Sequence, residues 1–199
     1  MRFLPLLFCI FSIPLILVSC SEKNEEPELI TEHPTRLHTI GEFYRYKEIN
    51  DIGSYETGPI MITIDSAETV NGTLSEAFEI PNEERDMEMV NVLMRFELNS
   101  EVQGDLTFNE EENLHMVVDT GENIQKPDSF MSSLISFERI KLNQDKKESP
   151  FLRQFTFMLK ESTAEEIKQA TLLIDAPIDS EGNVVGEDLE IELDFTQDN

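Results

Sequence analysis

VNVLMRFEL, residues 90–98, sets Val90, Val92, Met94, Phe96 and Leu98 against Asn91, Leu93, Arg95 and Glu97 with a period of two. Successive side chains of an extended chain point to opposite faces, so this alternation describes a half-buried β-strand, apolar side inward. The same period recurs outward from it. Ile60, Ile62 and Ile64 form the first clear strand of the chain; Val102, Gly104, Leu106 and Phe108 follow; Phe151, Phe155, Phe157 and Leu159 share a face with Arg153. Near the end, Leu189, Ile191, Leu193 and Phe195 alternate with Glu190, Glu192 and Asp194. Further strands are expected near 40–46, 114–118, 133–142 and 171–175, with a turn at Asp119–Glu122. No parallel βαβ rhythm appears. Many short alternating strands predict an all-β fold, a two-sheet β-sandwich.

Two local signals interrupt the strands. Ser162-Thr163-Ala164-Glu165 has the form of a capping box and predicts one short helix near residues 163–169. The stretch NGTLSEAFEIPNEERDM, 71–87, reads as a long loop opened by an Asn71-Gly72 hairpin turn.

The chain begins differently. Met1-Arg2 is followed by the uncharged run FLPLLFCIFSIPLILV, then Ser19-Cys20 and the polar SEKNEE. The apolar run is broken by Pro5 and Pro14 and is shorter than the ~20 residues of a spanning helix. Leu17-Val18-Ser19-Cys20 resembles the lipobox of bacterial lipoproteins, in which cleavage falls between Ser19 and Cys20 and the cysteine thiol takes a diacylglyceryl group. The expected organisation is a signal peptide at 1–19, a lipidated N-terminus and flexible acidic tether at 20–38, and an extracellular domain at 39–199. A single acyl chain holds a protein only marginally, whereas two chains on Cys20 hold it stably. Cys9 falls in the removed segment, which leaves the domain no disulfide framework and no thiol nucleophile.

Charge narrows the partners. Lys and Arg number 15 against 41 Asp and Glu, a formal net charge of −26. Phosphate recognition needs clustered basic residues, so nucleic acid is excluded as a partner. Contact with the membrane is expected through the lipid on Cys20, and with another envelope protein through the domain.

The order and pattern of GPIMITIDSAETV (58–70), VNVLMRFELNS (90–100), LHMVVDTGENIQKPDS (114–129), FLRQFTFMLKESTAEEIKQATLLID (151–175) and LEIELDF (189–195) resemble the telokin-like, immunoglobulin-type sandwich domain of Gram-positive surface lipoproteins. The resemblance spans about residues 40–196. It implies an immunoglobulin-like sandwich on the outer face of the cell membrane, acting as a non-catalytic binding module, and supplies no catalytic residues. The stretches at 71–87 and 145–150 stand apart from it as local elaborations.

Motifs for chemistry are sparse. His33, His38 and His115 show no metal-ligand spacing, and no serine sits in a nucleophile motif. No cofactor is expected. Three acidic clusters have the oxygen donors that Ca²⁺ prefers: Glu83, Glu84 and Asp86; Glu110, Glu111 and Glu112; and Asp179, Glu181 and Asn183 around Gly182. The last is the best of the three, yet it lacks the full loop pattern, and a solvated charged turn is the simpler reading. A surface spacer without a ligand, and then an envelope hydrolase, are the alternatives to a binding module.

Overall fold

The computed structural model describes residues 26–30, 40–81, 85–98, 106–132 and 151–197. In chain order its elements are β1 (Glu28–Leu29), β2 (Gly41–Thr57), β3 (Ile60–Leu74), β4 (Asp86–Leu98), β5 (Leu106–Thr107), α1 (Glu110–Asn113), β6 (Leu114–Val118), β7 (Asn123–Ile124), β8 (Phe151–Leu159), β9 (Gln169–Ile174), β10 (Ile178–Asp179) and β11 (Leu189–Asp194). They build a five-stranded sheet, β1-β2-β3-β4-β8, and a four-stranded sheet, β11-β9-β6-β7, with β5 and β10 as a small separate pair. All pairings are antiparallel. The fold is the expected all-β sandwich. The chain crosses between sheets from β4 to β6, returns at β8 to pair with β4, and crosses again to β9, which pairs with β6 and β11. β2 and β1 extend the larger sheet beyond β3 at one edge.

The alternation read from sequence places the core. Val90, Val92 and Met94 of β4 pack with Ile60, Ile62 and Ile64 of β3 and with Phe155 and Phe157 of β8. They meet Leu114, Met116, Leu172, Ile174, Ile191 and Leu193 of the second sheet in one buried cluster. Each such side chain contributes about 1.5–3 kcal/mol on burial.

The larger sheet is covered on its other face as well. Phe43, Val70, Leu74, Met89 and Met131 form a second buried cluster there, joined by Phe78 and Ile80. The Phe78 ring meets Phe130 edge-on at 6.2 Å. Beside this cluster runs a polar row fixed by register: Glu48 opposes Glu68, Glu68 opposes Asn91, and Asn91 opposes Thr156. Asn91 donates to Glu68 at 3.1 Å, Thr156 donates to Asn91 at 2.8 Å, and the Thr156 amide donates to the Ser132 hydroxyl at 3.0 Å. Burial makes these bonds obligatory, because an unmet polar group there costs about 1–3 kcal/mol. Arg45 completes the row by pairing with Glu28, Glu48 and Glu68.

Several expectations are corrected. Asn71-Gly72 is not a hairpin turn; it lies inside β3, because the Phe43 ring of the paired strand occupies the space above Gly72. The loop therefore starts at Ser75. Residues 163–169 make only a turn at 164–166, and the short helix is α1. The backbone groups that a helix at 163–169 would pair internally are taken by tertiary partners. Lys47 captures the carbonyls of Glu165 and Ile167, and Asp119 accepts from the Lys168 amide. Glu166 does reach back to the Thr163 amide at 2.9 Å, a capping contact one residue later than read. The strand expected at 40–46 runs on to Thr57. The stretch read as a flexible tether contains β1, where Glu28 and Leu29 pair with Arg45 and Tyr44. The strand expected at 133–142, the signal segment and lipobox, His33, His38, Glu83 and Glu84 lie outside the described residues.

Candidate binding groove

The strands of the larger sheet are longer than those of its partner. β2, β3 and β4 have 17, 15 and 13 residues, whereas β6, β9 and β11 have 5, 6 and 6. The inner face of the large sheet thus continues beyond the hydrophobic core, and its side chains change character there. Glu42, Thr73 and Asp86 form one register row and Tyr44, Asn71 and Glu88 the next. Together with Pro27, Tyr46, Gly72 and Met87 these residues line an open groove of about 590 Å³, within the 300–1,000 Å³ range of ligand sites.

A β-bulge supplies the second tyrosine. Arg45 pairs with Val70 and Lys47 with Thr69, which leaves Tyr46 as the extra residue. Bulges re-aim side chains, and this one turns both Tyr46 and Lys47 toward the inner side. The Lys47 ammonium donates to the carbonyls of Glu165 (2.6 Å) and Ile167 (2.5 Å), fixing the β8–β9 connection beside the groove. Burial lowers the Lys47 pKa, although Asp119 and Glu165 pull the other way. Burial, then the charges of Glu165 and Glu88, raise the Tyr46 pKa, so its hydroxyl stays protonated.

The carboxylates are held in place. Glu88 accepts from the Ala164 amide at 2.7 Å, and Asp86 accepts from the Thr73 hydroxyl at 2.6 Å. Glu42 is exposed at the mouth. None of the described lining residues is basic. The groove therefore offers two aromatic rings, an amide and carboxylates on a rigid sheet. That arrangement suits non-covalent recognition by stacking, hydrogen bonding and charge.

Of the described residues singled out in the sequence, Asn71, Gly72 and Asp86 line the groove, and Asp179, Glu181, Asn183, Glu112 and His115 do not. Asp179 Oδ1 accepts from the amides of Glu181 (2.9 Å) and Asn183 (2.8 Å), and both its oxygens face the Asn183 amide group. These bonds, led by that of the Asn183 side chain, lower the Asp179 pKa. The carboxylate thus serves its own turn. Glu110–Glu112 form most of α1. Among the described residues, no three His, Cys, Asp or Glu side chains gather into a metal-binding group, and no helix is long and apolar enough to cross a membrane.

His115, which has no metal-ligand spacing in the sequence, is half-buried, its ring nitrogens facing Gln125 and Asp175. Nδ1 lies 2.6 Å from the Gln125 carbonyl and Nε2 3.0 Å from Asp175. Glu122 caps the other end of the small sheet by accepting from the amides of Lys160, Glu161 and Ser162. Burial opposes its charge, but these bonds prevail and lower its pKa. The groove itself was missed because its side chains come from three strands and a bulge, which a linear pattern does not disclose. The alternation Glu42–Tyr44–Tyr46 was the one available signal. Comparison of the chain with protein-family models, curated proteins and solved structures finds no match in any of the three.

Proposed function

We propose that this chain is a lipid-anchored extracytoplasmic binding module, held by Cys20 at the outer face of the cell membrane and non-catalytic, with the groove as its binding surface. The observation that carries the reading is the groove itself, a ligand-sized concavity with paired tyrosines built on the overrunning end of the large sheet. Its relation to the start of the chain adds to this. Pro27 lines the groove, and β1, clipped to the sheet by Arg45, follows it directly. Seven residues of chain from Cys20 to Pro27 limit the distance between them to about 25 Å. On this reading the groove end faces the membrane, and the occupant is presented close to the lipid surface by another envelope protein.

The test is photo-crosslinking on intact cells, with benzoylphenylalanine placed at Tyr44 or at Glu190 on the outward face of β11. Mass spectrometry of the mature N-terminus accompanies it. The expected result is a diacylglyceryl-modified Cys20 and a discrete adduct from position 44 that position 190 does not give. An unmodified terminus away from Cys20 would remove the anchor. Equal, diffuse labelling from both positions would make the domain a spacer without a dedicated ligand.

A further inference from the structure

The lining of the groove narrows the chemistry of its occupant. Glu42, Asp86 and Glu88 contribute carboxylates and Tyr44 and Tyr46 contribute rings, with no basic residue among the described lining. The register sets the spacing. Glu42 and Asp86 lie in one row two strands apart, which puts their backbones about 10 Å from each other. Asp86 and Glu88 are alternate residues of one strand, about 7 Å apart. A ligand with several cationic groups at about 7 Å intervals matches carboxylates mounted on that lattice, and an extended peptide repeats its side chains on one face at that interval. The tyrosine rings fit the same occupant, because an ammonium or guanidinium is drawn to an aromatic face.

We infer that the groove binds an extended peptide segment carrying lysine or arginine at alternating positions, presented by a partner protein. This rests on the binding-module reading above and specifies its ligand. A neutral glycan also stacks on tyrosines and donates its hydroxyls to carboxylates, but it leaves their charge uncompensated.

The experiment is fluorescence anisotropy with the full chain in detergent. The probes are a fluorescein-labelled octapeptide of alternating Lys and Ser, its Glu-Ser counterpart, and a labelled oligomer of N-acetylglucosamine. The Lys-Ser peptide alone should bind. Tyr44→Leu with Tyr46→Leu should weaken it at least tenfold, and Glu42→Gln three- to tenfold. Glu190→Gln with Glu192→Gln, which removes more charge from β11, should change it less than twofold. Should the leucine pair fail to fold, Tyr44→Phe with Tyr46→Phe keeps the rings and should bind within twofold of the parent. Equal losses from the groove and β11 variants would reduce the binding to diffuse charge and overturn the inference. Tyrosine-dependent binding of the glycan would overturn the ligand class while leaving the groove as a binding site. Binding of no probe would overturn the inference, and the crosslinks from position 44 would then decide separately whether the binding-module reading stands.

Discussion

At His115 the partners determine the protonation state. A backbone carbonyl and a carboxylate are both acceptors, so both ring nitrogens must donate for the two bonds to form, which requires the imidazolium. Burial lowers the pKa, but the bonds to Asp175 and Gln125 and the charge of Asp175 outweigh it and raise the value above 6.5. A folded-state pKa above the unfolded one contributes stability that is complete below the unfolded value and is lost as pH rises through the folded value. Melting temperature should therefore fall as pH rises upward from 6.5. His115→Gln should cost about 1 kcal/mol at pH 6 and flatten the profile above 6.5. Thermal melts of both proteins across that range decide it; parallel profiles would show that His115 does not titrate in this window. None of this was legible in sequence. Leu114 and Met116 mark His115 as outward-facing, but its acid partner, Asp175, lies just past the end of the paired strand β9.

Among the elements, legibility follows burial. β4, β8 and β11 each present one face to the core, and their alternation is plain. β2, covered on its outer edge only by the two residues of β1, has register shifts at Arg45/Lys47 and Asn50/Gly53; each shift flips the pattern, so GEFYRYKEINDIGSYET shows no steady period. Asp51 at φ 54° and Gly53 at φ 146° mark the second irregularity. The 163–169 helix failed for the opposite reason, since its local signal was sound but Lys47 and Asp119 took its backbone groups. Gly72 shows how a turn residue is used within a strand. A Cβ there would fall inside the contact distance of the Phe43 ring and press on the Glu42 carbonyl at 2.7 Å. Gly72→Ala should thus cost about 2–3 kcal/mol through overpacking, lowering the melting temperature by about 4–12 °C. Gly121→Ala is the comparison: nothing lies within 4 Å of its added methyl, and only φ 94° opposes it, for about 1–2 kcal/mol. Calorimetry on the two variants checks the order. A milder effect at Gly72 would mean that the Phe43 ring moves aside freely.

Over the whole molecule the surplus of negative charge is the largest unbalanced term. A formal charge of −26 on 199 residues opposes compaction through self-repulsion, and a diffuse charge of this kind is relieved by counterions. The acidic residues of β11, Glu190 and Glu192, point outward. Asp179, the best cation ligand by sequence, is occupied by the amides of its own turn. Exposed charges are screened over ~10 Å at 0.1 M salt and ~3 Å at 1 M. Raising NaCl from 0.05 to 0.5 M should therefore stabilise the fold by about 1–2 kcal/mol, or roughly 2–8 °C in melting temperature. Divalent cations should do more per mole, and Ca²⁺ and Mg²⁺ should act alike, because screening depends on charge. A dedicated site would separate them, since Mg²⁺ demands octahedral geometry and keeps its waters. Its stabilisation would also grow by ~1.4 kcal/mol per decade of free ion above Kd. A melting series in NaCl, CaCl₂ and MgCl₂ at matched ionic strength distinguishes the two. Strong stabilisation by micromolar Ca²⁺ without an effect of millimolar Mg²⁺ would contradict the diffuse picture. Asp179→Asn would then be the first variant to measure, because breaking its turn and breaking a metal site have different Ca²⁺ dependences.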